Sequence, residues 1–216
     1  MTLIIAAQGK DFLILGADSR GTIEDIAKNR LQINMMTKLY EITNRTGVLV
    51  AGAGDQAIYL IDKFKKQIKT PDEDVTKTTE ALIKFCRDEF KKTKDVPVLD
   101  LPAFTFIIAG LDKIGGIFVP YCNYLHSYSG FIPGIAKHGY VIKGKPLIAE
   151  YLFTKHYDEE KSVNDMCELV ALSISDTISV DGDVGGQIQM AIIDRDGFRE
   201  YSENDVESFI QKNTDD

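Results

Sequence analysis

Two apolar runs near the start of the chain decide its fold: LIIAA at residues 3–7 and FLILGA at residues 12–17, separated by QGKD at residues 8–11. Short apolar runs bounded by turn residues are typical of buried strands, and a four-residue separation favours a hairpin. The segment at 38–42 and the apolar run at 47–52 continue the pattern. The first quarter therefore predicts several consecutive strands with antiparallel pairing.

The rest of the chain alternates pairs of helices with pairs of strands. Helical spacing of apolar residues predicts helices at 58–64, 79–90, 146–155 and 163–175. Strands are predicted at 104–111 and 116–120 around a turn at 112–115, and at 187–193 and 198–201, with a Gly-rich connection over 130–145. This order lacks a βαβα alternation. It predicts an α+β fold, a four-layer αββα sandwich of two antiparallel sheets.

Length and composition limit the organisation and the class of protein. At 216 residues we expect one domain over 1–216, with a polar, frayed tail from about residue 202. The 33 acidic and 25 basic residues give a net charge of −8, which disfavours nucleic acid as a partner. We also expect neither a membrane span nor a signal peptide. Three scattered cysteines favour reduced thiols, so we expect a cytoplasmic protein.

Thr2 is the strongest candidate for chemistry. Initiator methionine is normally removed ahead of so small a residue, and we expect no propeptide beyond Met1. The α-amine of a new N-terminal threonine, with a reference pKa of about 7.7–8.0, would then lie beside its own hydroxyl. A base next to a weak nucleophile is a known way to activate threonine. Taken alone, a threonine after Met1 is far more often inert.

Five short strings, in order along the chain, give Thr2 its context: GADSRGT at 16–22, TKL at 37–39, AGAGD at 51–55, SYSG at 127–130 and DGDVGG at 181–186. Together they resemble the β-type subunits of the proteasome, within the N-terminal-nucleophile hydrolases. Asp18 lies sixteen residues after Thr2, which is the spacing of that family. The resemblance implies the proteasome-β version of the αββα sandwich over almost the whole chain.

The resemblance also implies roles for individual residues. Thr2 would be nucleophile and, through its amine, general base. Lys38 would lower the pKa of that amine, since like charges disfavour protonation, and Asp18 would orient Lys38. The Gly52 amide would stabilise the oxyanion. Two further residues, Ser129 and Asp181, would support the N-terminus.

A primary substrate pocket is implied in the same way, lined by Gly21, Met36, Val50 and Gly54 and apolar in preference. Three departures from the family stand out. The separation between Asp18 and Lys38 is about four residues longer than usual, and Lys28 is a poorer substitute for Lys38. Val184 and Leu3 stand where the family often has polar residues.

The predicted function is a threonine-type peptidase or amidase acting through an acyl-enzyme. Two alternatives remain open: a catalytically inert, proteasome-like structural subunit, and a transpeptidase or ligase that passes the same acyl group to an amine. The resemblance implies a peptide or unfolded protein as substrate. It also implies a homo-oligomeric ring, with proteasome-like subunits or an unfoldase as further partners.

Other motifs favour simpler interpretations. GAGDQA at 52–57 matches the G-x-G-x-x-A dinucleotide pattern, but a second helix follows it where that pattern needs a strand. Asp181 and Asp194 begin fragments of calcium loops that lack the glutamate at the twelfth position. His126, His138 and His156 share no ligand spacing. We therefore expect no cofactor and no metal.

Overall fold

The computed structural model describes residues 2–24, 30–92, 103–136 and 138–211. In these ranges the strands are β1 (Leu3–Gln8), β2 (Leu13–Ala17), β3 (Gly21–Glu24), β4 (Arg30–Ile33), β5 (Leu39–Thr43), β6 (Thr46–Gly52), β7 (Phe104–Ile114), β8 (Ile117–His126), β9 (Pro133–Ile135), β10 (Tyr140–Gly144), β11 (Gln189–Asp194) and β12 (Gly197–Glu200). The helices are α1 (Gly54–Lys65), α2 (Val75–Lys91), α3 (Leu147–His156), α4 (Val163–Val180) and α5 (Glu203–Gln211).

Two five-stranded sheets form the centre of the fold. The first has the order β10-β1-β2-β11-β12 and the second the order β5-β6-β7-β8-β9, while β3 and β4 form a separate hairpin. Neighbouring strands pair antiparallel in both sheets and in the hairpin. The predicted hairpin at 3–17 is confirmed as β1–β2, with Ile4 opposite Ala17.

Three apolar cores separate four layers. Alternate strand residues such as Leu15, Leu49 and Ile107 pack between the two sheets. The other face of the first sheet is covered by α3, α4 and α5, and that of the second sheet by α1 and α2. Because β1 and β2 are buried on both faces, they read as continuous apolar runs rather than as an alternation. The predicted αββα sandwich is confirmed.

The β7–β8 hairpin is longer than predicted, and its turn lies at a different place. The expected turn at 112–115 was wrong, because Asp112 and Lys113 continue the ladder opposite Val119 and Phe118. The chain reverses at Gly115 and Gly116, whose φ values of 59° and 88° lie in the left-handed region. Two-residue hairpin turns of this hand favour consecutive glycines.

The connection at 130–145 also contains regular structure that the sequence did not predict. β9 extends the second sheet, and β10 pairs with β1 so that Gly144 lies opposite Leu3. At only three and five residues, both strands are too short to stand out from their glycine-rich surroundings. The pairing of β10 with β1 matters for function because it forms one side of the region around Thr2.

The chain beyond residue 202 forms helix α5 instead of fraying through its described part. Val206 and Phe209 are buried against the first sheet's helix layer. The helix begins with a reciprocal cap: the Ser202 backbone N–H donates to Asp205 Oδ2 over 2.9 Å, and the Asp205 N–H donates to Ser202 Oγ over 3.3 Å. Helix α5 is polar in composition because one of its faces is solvated. The sequence analysis did not identify its amphipathic pattern.

The three cysteines lie apart and buried as free thiols. Burial raises the pKa of Cys86 to about 12 and that of Cys167 to about 11, so both stay neutral and serve as packing groups. No helix within the described ranges combines the length and the hydrophobicity that a bilayer crossing requires. Lys28, named above as a substitute for Lys38, lies outside the described residues.

Candidate active site

The ends of several strands meet at one edge of the sandwich. Thr2 immediately precedes β1 and Asp18 immediately follows β2, so the β1–β2 pairing brings them together. Lys38 immediately precedes β5 in the other sheet, and its carbonyl accepts a hydrogen bond from the Val50 N–H over 2.9 Å. The three predicted residues are therefore brought together by both sheets.

The Lys38 ammonium group lies at the centre of this arrangement. Its Nζ is 2.9 Å from Thr2 Oγ1, 2.7 Å from Asp18 Oδ1 and 2.6 Å from the Arg20 carbonyl oxygen. Three acceptors match the three N–H bonds of a protonated lysine. The Thr2 oxygen accepts a hydrogen bond from a cation, which leaves its own proton free to be donated elsewhere.

Asp18 is a fully buried carboxylate, and each of its two oxygens accepts two hydrogen bonds. Oδ1 accepts from the Leu3 N–H over 2.9 Å and from Lys38, and Oδ2 accepts from the N–H groups of Gly185 over 3.0 Å and Arg20 over 3.2 Å. A buried charge is tolerated only when it is paired and hydrogen-bonded in this way. Asp18 thus ties the start of β1 to Lys38 and to the loop that contains Gly185.

Opposing effects act on the protonation of Lys38. Burial lowers the pKa of Lys38 below its usual 10.5, and the positive charge of Arg20 adds to this. The charge of Asp18 and its hydrogen bond to Nζ act against burial and favour the ammonium form. The net direction is downward, which places a cation of reduced pKa against the Thr2 hydroxyl.

Gln189 is a site residue that the sequence analysis missed. Its Oε1 accepts from the Lys38 N–H over 2.9 Å and the Leu39 N–H over 3.3 Å, and its Nε2 donates to the Met36 carbonyl over 2.7 Å. β11 places Gln189 opposite Ala17, next to Asp18. The side chain therefore fixes the backbone on both sides of Lys38. No local signal reveals it, because its partners are at least 150 residues away along the chain.

A cavity of about 400 Å³, here called the first cavity, opens beside Thr2 and Lys38. All of the predicted pocket residues line it: Gly21, Met36, Val50 and Gly54. Met36 fills the space next to Gly21, where a Cβ would lie 1.7 Å from its sulfur. Thr22, Asp55 and Gln56 add polar atoms to a wall that the sequence analysis expected to be apolar.

Gly52 lines the same cavity and needs to be glycine. Its φ is +102°, and a Cβ there would lie 2.5 Å from the Ala103 carbonyl oxygen. The residue ends β6, and one residue, Ala53, separates it from the start of α1 at Gly54. Gly52 and Thr2 line the same cavity, and residue 52 places no side chain in it.

The two remaining predicted residues lie in different surroundings. The Ser129 hydroxyl donates to the His126 carbonyl over 3.0 Å, within its own short 3-10 turn (Ser127–Ser129). This hydrogen bond lies within the turn and does not reach Thr2, and a role for Ser129 in supporting the N-terminus stays a prediction. Asp181 pairs with Lys145 Nζ over 3.0 Å, and the Lys145 N–H donates to the Thr2 carbonyl over 2.9 Å. Asp181 is thereby linked to Thr2 indirectly.

The positions that depart from the family pattern are accommodated by packing. Leu3 is buried in the apolar core that β1 forms with α4, and the group that it contributes to the site is its backbone N–H. Val184 is fully buried, and its backbone N–H donates to the Asp181 carbonyl over 3.0 Å. The loop at 181–186 is thus held by backbone hydrogen bonds and by apolar packing at the place where a serine is usual.

The rival motifs do not form ligand sites. Gly52 and Gly54 join a strand to a helix, but β6 pairs antiparallel with β7, and α2 follows α1, so no βαβ unit is formed. Lys145 lies between Asp181 and Asp183, where a calcium ion would be needed. In the described part of the chain, no three side chains of the metal-binding types are grouped as a metal ion requires.

Comparisons with known proteins relate the chain to one family. Residues 2–193 match the family described as "Proteasome subunit". "Proteasome subunit beta 1" of Thermococcus sibiricus is 25% identical over 206 residues, covering 94% of this chain and 91% of that protein. "Proteasome subunit beta" of Picrophilus torridus is 25% identical over 215 residues, covering 98% and 94%. "Proteasome subunit beta" of Thermoplasma acidophilum is 25% identical over 207 residues, covering 94% and 90%.

Proposed function

The chain belongs to the proteasome subunit family, and we propose that it is a threonine-type peptidase or amidase with Thr2 Oγ1 as its nucleophile. The observation that carries this proposal is the 2.9 Å contact between Lys38 Nζ and Thr2 Oγ1, with Asp18 buried behind Lys38. A lysine and an aspartate are rarely buried together, since removing both charges from water is costly. A catalytic role accounts for their retention.

The proposed mechanism requires a free α-amine on Thr2, and therefore removal of Met1. The amine accepts the hydroxyl proton, directly or through a water, while Oγ1 attacks a carbonyl carbon. Lys38 stabilises the developing negative charge on Oγ1 by its hydrogen bond, and its positive charge lowers the pKa of the amine. This gives Lys38 a direct contact with the reacting oxygen as well as the influence on the amine inferred from the resemblance.

The oxyanion that forms on the substrate carbonyl would be stabilised by the Gly52 N–H. Collapse of the tetrahedral intermediate breaks the C–N bond, and the protonated α-amine returns its proton to the leaving amine. An ester on Thr2 remains. Water then releases the acid; an incoming amine would instead give a transpeptidase product through the same ester.

The surroundings of Thr2 favour a peptide as substrate. Val50 and Met36 supply apolar wall to the first cavity, which suits an apolar side chain on the acyl side of the cleaved bond. We further propose one domain over residues 1–216, a cytoplasmic location and assembly into a homo-oligomeric ring that takes unfolded protein, with proteasome-like subunits or an unfoldase as partners. Roles for Gly52 and Asp181 belong to the same proposal.

The test compares variants of Thr2 in peptide hydrolysis and in labelling by a β-lactone that acylates hydroxyl nucleophiles. Thr2→Ala removes the nucleophile and should abolish both, because the remaining site has no group to form the ester. Thr2→Ser keeps a hydroxyl and an amine and should retain measurable labelling. Equal labelling of the wild type and Thr2→Ala contradicts the mechanism. A wild type that is neither labelled nor active identifies an inert structural subunit instead.

A further inference from the structure

A second cavity also borders Thr2. Its volume is about 230 Å³, and it shares Thr2 and Gly52 with the first cavity. Ala51 on β6 also lines it, and the other lining residues come from another part of the fold, namely Ala103, Phe104, Thr105, Tyr128 and Gly144. Thr2 and Gly52 therefore form the boundary between two separate spaces.

This placement divides a bound substrate at its reactive carbonyl. A peptide whose carbonyl carbon lies at Thr2 Oγ1 extends in opposite directions on the two sides of the cleaved bond. The first cavity is the larger and holds Met36 and Val50, which suits the half that stays attached as the ester. The second cavity is smaller and more open to solvent, which suits the half of the substrate that must leave when the bond is cleaved.

Tyr128 is the feature that gives the second cavity a preference. The residue is 65% exposed although it lines the cavity, so its side chain is accessible to a ligand. The ring stacks on His126, with centroids 4.8 Å apart and planes 17° from parallel. His126 Nδ1 is in turn 2.7 Å from Thr105 Oγ1 on the cavity wall. Tyr128 is thus an exposed aromatic ring in a supported position.

The described residues that line the second cavity include no Asp, Glu, Lys, Arg or His. Burial lowers the pKa of His126, and the positive charge of Lys143 lowers it further. Lys143 itself lies over the Tyr124 ring, with its Nζ 3.8 Å from the ring centroid. The residues that line the cavity offer mainly apolar surface together with the hydroxyls of Thr2, Thr105 and Tyr128, a combination that favours an apolar or aromatic side chain over a charged one.

We propose that the second cavity is the leaving-group site, and that Tyr128 selects an apolar or aromatic residue on the carboxyl side of the cleaved bond. The inference rests on the proposed function of Thr2. As the C–N bond breaks, the residue in this cavity departs as a neutral amine after taking the proton from the Thr2 ammonium. The water or amine that attacks the ester then enters through the space it vacates.

The test digests unfolded casein and records by mass spectrometry the residues on both sides of every cut. For the wild type we expect apolar and aromatic residues to be enriched on the carboxyl side. Tyr128→Ala should reduce that enrichment about tenfold, in the range that one apolar contact contributes to selectivity, and leave the amino side unchanged. Met36→Ala should change the preference on the amino side of the cleaved bond and leave the enrichment on the carboxyl side unchanged. Tyr128→Phe keeps the ring and should show the same enrichment on the carboxyl side as the wild type.

Tyr151→Ala removes the ring of another exposed tyrosine, 58% exposed on α3, and serves as the control that changes neither side. A β-lactone that carries nothing on the leaving side separates the two proposals, because it should label the wild type and Tyr128→Ala alike. A labelled enzyme whose carboxyl-side profile does not respond to Tyr128→Ala overturns the leaving-group site alone. A wild type that is not labelled overturns the proposed function, and this inference with it.

Discussion

Asp18 and Asp181 are two carboxylates near Thr2 that the family pattern suggests as partners in one site, yet their surroundings differ sharply. Asp18 is fully buried and accepts four hydrogen bonds, one of them from Lys38. The Asp181 side chain is 26% exposed and pairs with Lys145, which is itself 30% exposed. Burial makes an unpaired charge costly, whereas water compensates for a lost partner. The site should therefore depend on Asp18 far more than on Asp181.

The largest effect is expected from breaking the buried pair. Asp18→Asn removes the negative charge, leaving Lys38 as an unpaired cation, and should lower the free energy of unfolding by about 3–5 kcal/mol. Lys38→Met on the same background removes that cation and should recover much of the stability. Urea unfolding measures both.

Activity should respond differently from stability in the same variants. Neither Asp18→Asn nor the double variant should label at Thr2, because both lack the paired cation against Oγ1. A double variant no more stable than Asp18→Asn would show that the pair is not the source of the destabilisation. A double variant that is labelled like the wild type would remove Lys38 from the mechanism.

An intermediate effect is expected at Gln189, which positions the Lys38 backbone without touching Thr2. Gln189→Ala removes three hydrogen bonds at once and should lower kcat/KM about tenfold or more, by displacing Lys38 from Oγ1. Because a more distant cation lowers the pKa of the Thr2 amine less, the acid limb of the kcat/KM profile should move to higher pH.

Gln189→Glu sharpens this test. It keeps the acceptor for the N–H groups of Lys38 and Leu39 but loses the donor to the Met36 carbonyl, so its activity should lie between those of the wild type and Gln189→Ala. A fall in stability without any movement of the acid limb would show that Gln189 has only a structural role.

The sequence reveals the parts of this site that depend on local strings, and not those that depend on the tertiary fold. The separation of Asp18 and Lys38 is longer than usual, yet Lys38 reaches Asp18 because the β3–β4 hairpin, with Gly21 opposite Ile33, turns the chain back on itself. Ser129 lies in a family-like string, but the turn directs its hydroxyl to His126. Gln189 contacts its partners only because strand pairing brings them together, and no pattern in a single sequence predicts that contact.

The same distinction holds for the fold. Apolar runs identify β1, β2 and β6 because those strands are buried on both faces or nearly so. The strand β10 was missed because its five residues end in Lys143 and Gly144, and its place next to β1 is decided by pairing. Helix α5 was missed because, of its nine residues, only Val206 and Phe209 are buried and Ile210 packs partly against the core.

The smallest effect is expected at Asp181. Hydrogen bonds from the Asp183 N–H and from Lys145 lower the pKa of Asp181 below its usual 3.8. Because the carboxylate is favoured in the folded state, its contribution to stability is present above pH 3.8 and is lost as the pH falls through the lowered pKa. Asp181→Asn should cost less than about 1 kcal/mol at pH 7, as for an exposed ion pair.

Thermal unfolding of Asp181→Asn and the wild type at several pH values between 7 and 3 measures this contribution. The two unfolding curves should approach each other at the acid end, and labelling of Thr2 at pH 7 should persist. A loss as large as that of Asp18→Asn would mean that the two carboxylates are equivalent, contrary to their burial.

The most direct measurement of the central claim is the intact mass of the native protein before and after reaction with a β-lactone, followed by peptide mapping. We expect a chain that lacks Met1 and gains one lactone, with the adduct on Thr2. A working protein that retains Met1, or an adduct on any other residue, would contradict the account of Thr2 as a nucleophile activated by its own amine.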